Sequence, residues 1–410
     1  MDEREIELVV ERLLNRVEQA NTYFLTEIGK SVSKLRELKP NDAFKLANIL
    51  KYGENYNDIV KKLSKYMNMN IQDVDEILSN FAKKDSNFYE KFYKCRNIEM
   101  TPFEQNKALN EQIEAYKQVM RNNLYSFTRP NVLGYTIRDI NNRVQFYGLK
   151  ETYNRVIDEA LLNIGQGKEN FDSSMARILR EIGGSGLKKV DYASGRTMRL
   201  DSAVRMEVLD GIRNLHNANQ ELFGEQFDAD GFEITVHSNP APDHAQVQGR
   251  QFRKDQYILL QRGEEATDYK GNKYKLDHDN NGSYRPISEL NCYHYVYAII
   301  LGVNKPQYSD EELNKIEQES QKKIEIDGKE YTKYECTQLQ RNLERRIREQ
   351  KDIQILGRTS KNKELIDKSQ LKITQLTNKY KEISDKSNLP TKMNRLKVSG
   401  FRRVSTKNMK

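Results

Sequence analysis

All five histidines of the chain lie between residues 216 and 294, and so does Cys292, one of three cysteines. Imidazole and thiolate bind borderline-soft metals, and imidazole moves protons near neutral pH. His237 and His244 form an H-x6-H pair around the turn "SNPAPD", and Cys292 and His294 form C-x-H further along. Two donors from each of two loops can build a tetrahedral zinc site, although this spacing matches no common zinc finger. One expectation is therefore structural zinc on His237, His244, Cys292 and His294. Four protein ligands would leave no room for a catalytic water, so such an ion would stabilise the fold. The other expectation is metal-free: imidazoles stitch the turn by hydrogen bonds and Cys292 is a small core residue. His216, on a helix, and His278, in a polar loop, are expected at the surface.

The elements around these residues follow from periodicity. Phe232, Ile234 and Val236 alternate with Glu233, Thr235 and His237, which predicts a strand ending at His237. "QGRQF" and "QYILL" read as further strands or turns, "DYKGNKY" as a loop or hairpin, and "HDNNGSYRP" as a polar loop. "CYHYVYAIIL" starts as a half-buried strand. A helix over residues 200–223 precedes this fold and is expected to stop at Gly224.

Upstream, apolar residues from Ile6 to Leu35 recur every three or four positions, predicting one helix over 4–38. Pro40 ends it, and Asp42 can cap a helix over 43–52. Short helices are expected over 56–67 and 71–83. "TPFE" reads as a helix start with Thr101 as N-cap, the helix running to about Phe127. Residues 135–164 read as a helix pair or one bent helix, and 173–182 as a helix ending at "GGSG". Downstream, "KIEIDGKEY" predicts a hairpin turning at Asp327-Gly328. "TKYE" caps a helix from 332 to about Leu356, and a second spans about 361–386, giving an antiparallel helical hairpin. The fold class expected is mainly α with a small central α+β domain, an elongated helical N-terminal region and a C-terminal helical hairpin. The domains expected are 1–198, 199–308 and 309–410.

Charge is unevenly placed. Residues 309–410 carry 25 Lys and Arg against 16 Asp and Glu, while the other 308 residues carry 43 against 44. The basic excess suits phosphate or another acidic surface, or forms a solvated helix face. Candidate nucleic-acid contacts are Arg341, Arg345, Arg346, Arg348, Lys351, Arg402 and Arg403. Three widely separated cysteines argue against a disulfide framework. The N-terminus lacks the pattern of a signal peptide, and no apolar run approaches a membrane span. A protein made in a reducing cytoplasm, with no membrane partner, is expected.

The stretch "SAVRMEVLDGIRNLHNANQE", a strand, "HSNPAPDHAQVQGRQF" and "NCYH" resemble the phage minor capsid protein family, related to the Mu F-like head morphogenesis proteins. The tail "DGKEYTKYECTQLQRNLERRIREQK" resembles that family's end, and the resemblance covers about residues 195–403. His237, Asp243, His244, Gln248, Gly249, Asn291, Cys292 and His294 match its pattern. Ala241 and Tyr293 stand where the family usually has Arg, and "GSYRPISEL" replaces a Gly-rich approach. The resemblance implies a virion component of a tailed bacteriophage head, made in the host cytoplasm and lying near the portal vertex. Its implied partners are the portal and major capsid proteins and, through the basic tail, packaged DNA. It implies roles in head morphogenesis or DNA packaging and delivery, and no established enzymatic activity.

Two enzymatic alternatives are weaker. A metal-dependent nuclease could use the His237, His244, Cys292 and His294 cluster in the broad manner of His-Asn-His enzymes. No clear general base or open metal position accompanies it. An ADP-ribosyltransferase would need an Arg, Ser-Thr-Ser and Glu-x-Glu series, which is missing. Residues 353–410 carry 15 Lys and Arg against 4 Asp and Glu. Deleting residues 357–410 is thus expected to weaken DNA binding and flatten its salt dependence, measured by titrating labelled duplex at several salt concentrations.

Overall fold

In the computed structural model the described residues are 3–52, 54–127, 129–139, 141–165, 171–237, 239–276, 284–289 and 292–404. The fold is mainly α with small antiparallel sheets. The chain gathers into two compact units. One comprises Met1–Glu7, Val74–Arg121 and Met206–Gln338; the other comprises Leu8–Asp73, Asn122–Arg205 and Leu339–Lys410.

The second unit buries the predicted stripe of helix Glu3–Arg36, including Leu13, Val17, Phe24, Ile28 and Leu35. Its sheet has strand order 144–148, 133–138, 188–190, 197–199, all antiparallel. These strands correct the helical expectation for the start of 135–164. Leu133, Tyr135 and Ile137 are buried at a spacing of two, a strand period, and helix begins only at Leu149. The expected helices at 56–67 and 71–83 are one helix, Glu54–Arg96, whose sequence holds no Gly or Pro to break it.

Caps account for other differences. "TPFE" does not start the next helix. A single 3-10 turn, Phe103–Gln105, intervenes, and the Asn106 carboxamide accepts the Leu109 N–H at 3.1 Å to cap Lys107–Phe127. Thr332 and Glu335 do form the predicted capping box. Asp327 and Gly328 both have positive φ, the type I′ signature of a two-residue hairpin turn. Helices Leu200–Gln226 and Lys333–Thr359 pass through Gly224 and Gly357 without stopping. Close packing explains both glycines: a Cβ would lie 3.0 Å from Ala298 Cβ at Gly224 and 2.9 Å from Leu365 Cβ at Gly357. "QYILL" lies in helix Lys254–Gln261 rather than in a strand.

Helix Lys363–Ser387 runs antiparallel to residues 339–359. Gln340 bonds Ser384, Glu344 bonds Tyr380, and Gln354 bonds Gln370. Leu365, Ile373, Tyr380 and Ile383 are core residues here. Deleting 357–410 would therefore open the core as well as remove charge, so substitutions of exposed residues are the cleaner test of DNA binding.

Five charged side chains meet inside this unit. Arg348 hydrogen-bonds Asp201 and lies 3.8 Å from Glu18. Arg199 donates to Asp201 at 3.3 Å and approaches Asp352 at 3.7 Å. Two guanidiniums face three carboxyls, so one carboxyl is left without a full counter-charge. Burial pushes Glu18 up to about 8 and Asp352 up to about 7. Burial also acts upward on Asp201, yet Arg199 and Arg348 hold it well below the usual carboxylate range. Burial pushes the neighbouring Lys351 down.

A carboxyl that stays neutral in the folded protein but ionises in the unfolded chain makes folding less favourable as pH rises. For Glu18 the loss begins near its ordinary 4.5 and is complete above about 8. Urea denaturation should show stability falling between about pH 5 and pH 8 by on the order of 2–4 kcal/mol. Glu18→Gln should shrink that fall and leave the part due to Asp352, which ends near pH 7.

Candidate metal centre

Sheet pairing brings the two histidine loops together. Strand Gly231–Ile234 lies between Gln251–Arg253 and Val296–Ile299, antiparallel to both. Thr235 follows the central strand and Tyr295 precedes the edge strand. Thr235 N–H donates to the Tyr295 carbonyl at 2.9 Å, and Tyr295 N–H donates to Thr235 Oγ1 at 2.8 Å. The loops carrying His237 and His294 thus leave the same end of the sheet. Beneath them Ile234, Val247, Phe252, Leu260, Ile287 and Val296 form a buried apolar cluster.

Three of the four expected ligands converge. One donor atom each of His244, Cys292 and His294 lies within 4.8 Å of the others, and all three residues are buried. His244 Nδ1 is 3.1 Å from Cys292 Sγ, and His294 Nδ1 is 3.3 Å from it. His244 sits on the short helix Pro242–Ala245 and is fully buried, at 0% exposure. His237 stands apart from this group. Its Nδ1 accepts the Asn239 N–H at 3.1 Å, and its ring packs against Tyr293 and His294.

The far side of each converging ring is held. His244 Nε2 donates to the Arg285 carbonyl oxygen at 2.7 Å. His294 Nε2 lies 3.3 Å from Gln248 Oε1, which also accepts the His237 N–H at 2.9 Å. A backbone N–H can only donate, so that contact fixes which end of the Gln248 amide faces the ring. His294 Nε2 therefore carries a proton. Gly249 follows with φ +71°, and a Cβ there would lie 2.4 Å from a Leu313 methyl.

Burial sets the protonation of the three donors. It pushes His244 down, and it pushes His294 down to about 3 with help from the neighbouring imidazoles and Arg285. It pushes the Cys292 thiol up, against hydrogen bonds from the His294 and Ser288 backbones. In the metal-free protein near pH 7 the rings are neutral and the sulfur is a thiol.

Some functional partners carried no signal in the sequence. Arg285 forms a two-pronged ion pair with Asp243, at 2.9 and 3.1 Å. Arg285 lies within "GSYRPISEL", so this atypical segment supplies the partner of the motif aspartate. His216 was expected at the surface but is 1% exposed. Its Nδ1 faces the Asp85 carboxylate at 3.0 Å and its Nε2 the Val296 carbonyl at 3.1 Å. Gln220 Nε2 also approaches Nδ1, at 3.3 Å, while Gln220 Oε1 accepts the Ala298 N–H. Pairing with Asp85 is what allows it inside, a contact that helix periodicity alone does not reveal. His278 and Asn291 lie outside the described residues.

The basic candidates divide. Arg348 is engaged with Asp201 and Glu18, and Lys351 binds the Leu396 carbonyl and lies 4.8 Å over the Phe401 ring. These two are directed inward, unlike the solvent-facing contacts expected. Arg341, Arg345, Arg346, Arg402 and Arg403 are exposed, with Arg345 3.8 Å from Glu349.

A model of the family described as phage minor capsid protein 2 matches residues 1–383. The chain belongs to that family. Comparison with curated proteins and with solved structures gave no match. In this minor capsid protein the family's usual arginine at 293 is a tyrosine, whose ring lies 5.2 Å from the Arg213 guanidinium. Gln248 ties together the two loops of its motif. Gln248→Ala would leave the His294 ring and the His237 backbone without their shared acceptor. Urea denaturation should report a loss of about 2–6 kcal/mol, from two unsatisfied donors at about 1–3 kcal/mol each.

Proposed function

We propose that this minor capsid protein sits at the portal vertex of a tailed-phage head and faces the head interior, where its basic C-terminal region contacts packaged DNA. The observation that carries the reading is the family match across residues 1–383, which makes the chain a structural protein of the phage head. The net charge of residues 309–410 supports the DNA contact, as does the exposure of Arg346, Arg402 and Arg403. No helix among the described residues is long and apolar enough to cross a membrane. Portal and major capsid proteins are the proposed partners, and head morphogenesis or DNA packaging and delivery the proposed role.

A structural role suits the geometry better than a nuclease. The donors of the histidine cluster are buried, and their outward ring nitrogens are taken by Arg285 and Gln248. A phosphodiester would have to displace the motif loops to reach them.

Mass spectrometry of purified virions should find the protein in few copies, and cross-linking should join it to the portal protein. Absence from virions would overturn the reading. Replacing Arg346, Arg402 and Arg403 by Glu should weaken duplex binding and reduce the salt slope by roughly 0.9 per lost phosphate contact. Equal binding by wild type and variant would reassign the basic face to a protein contact.

A further inference from the structure

We infer that His244, Cys292 and His294 hold a zinc-class ion through Nδ1, Sγ and Nδ1. The inference is independent of where in the head the protein sits. It rests on where the protons must be. The Arg285 carbonyl can only accept, so His244 carries its proton on Nε2. Gln248 Oε1 is fixed as an acceptor by the His237 backbone, so His294 also carries its proton on Nε2. Each Nδ1 therefore presents a bare lone pair, and both point at Cys292 Sγ, at 3.1 and 3.3 Å.

A thiol has one proton and can serve one of these lone pairs. The other would face sulfur with no hydrogen between, in a pocket where His244 and Cys292 are 0% and 1% exposed. A divalent cation satisfies all three donors at once. The thiol proton leaves to solvent as the sulfur–metal bond forms, and the imidazoles bind without losing a proton. A tetrahedral ion with bonds of about 2.3 Å to sulfur and 2.0–2.1 Å to nitrogen holds those atoms roughly 3.5 Å apart. The observed pairs need to open by only a few tenths of an ångström, on the order of ordinary side-chain relaxation.

The surroundings match those of metal-bound histidine and thiolate. Ligating imidazoles commonly donate their second N–H to a carbonyl or carboxylate, as both do here. The His294 N–H also points at Sγ, at 3.4 Å, a donor that steadies a thiolate. Zinc suits two imidazoles and one thiolate, whereas calcium and magnesium prefer oxygen. His237 is outside the set because Asn239 occupies its Nδ1 and leaves the ring proton on Nε2.

The test uses full-length protein without a histidine tag, grown with zinc and dialysed. Elemental analysis should find about one zinc per chain in wild type and in His237→Ala, and none in Cys292→Ser or His294→Ala. A chelator should lower the melting temperature of wild type. Cobalt-loaded wild type should show a thiolate-to-metal charge-transfer band, which decides the matter even if the ligand variants misfold. Folded wild type that takes up neither ion stoichiometrically overturns the site. Loss of zinc from a folded His237→Ala overturns the three-donor set.

Discussion

Two imidazole lone pairs face one sulfur, and a thiol has only one proton to place between them. Much of the first unit is arranged around that constraint. Gln248 holds one ring, the Arg285 carbonyl holds the other, and Asp243 clamps the Arg285 side chain. Reciprocal bonds between Thr235 and Tyr295 keep the two loops at one end of the sheet. Without these supports the rings could rotate and the donors would no longer converge.

The sheet under the site is small. Its strands are Gly231–Ile234, Gln251–Arg253 and Val296–Ile299. So short a sheet gains little from its own ladders and depends on what packs against it. On one side stands the apolar cluster around Phe252 and Ile287. Elsewhere the edge strand meets His216, Gln220 and Tyr89, which bond Val296 and Ala298. The His216 ring is thus both a partner for Asp85 and a clamp on the strand leading out of the motif. A buried polar pair adds little net stability, but removing one partner leaves the other unsatisfied, which is costly. Such pairs fix geometry more than they add stability, which suits a protein whose work is to hold a shape within an assembly.

The second unit shows the same economy differently. Its cluster of two arginines and three carboxyls joins strand 197–199, the start of helix Leu200–Gln226, helix Glu3–Arg36 and helix Lys333–Thr359. Arg348 is drawn from the basic run that gives the C-terminal region its charge, so not every basic residue there is available to DNA. The run's exposed members include Arg346, and Arg402 and Arg403 of the tail are exposed as well.

Local patterns in the sequence were enough to determine the long first helix, the Asp327-Gly328 hairpin, the Thr332 cap and the helical pair. Each depends on residues a few positions apart, where periodicity and capping chemistry act directly. The same patterns misjudged residues 135–148, where a spacing of two lies beside a strongly helical stretch. They also placed His216 outside, because its partner Asp85 is remote in the chain. His237, His244, Cys292 and His294 could be named together from their types, yet only the tertiary structure decided that three converge and one turns away. That outcome depends on strand pairing between residues 231–234 and 296–299, and on which ring nitrogen meets an acceptor. Both are long-range, directional hydrogen-bond choices, and residue spacing along the chain does not encode them.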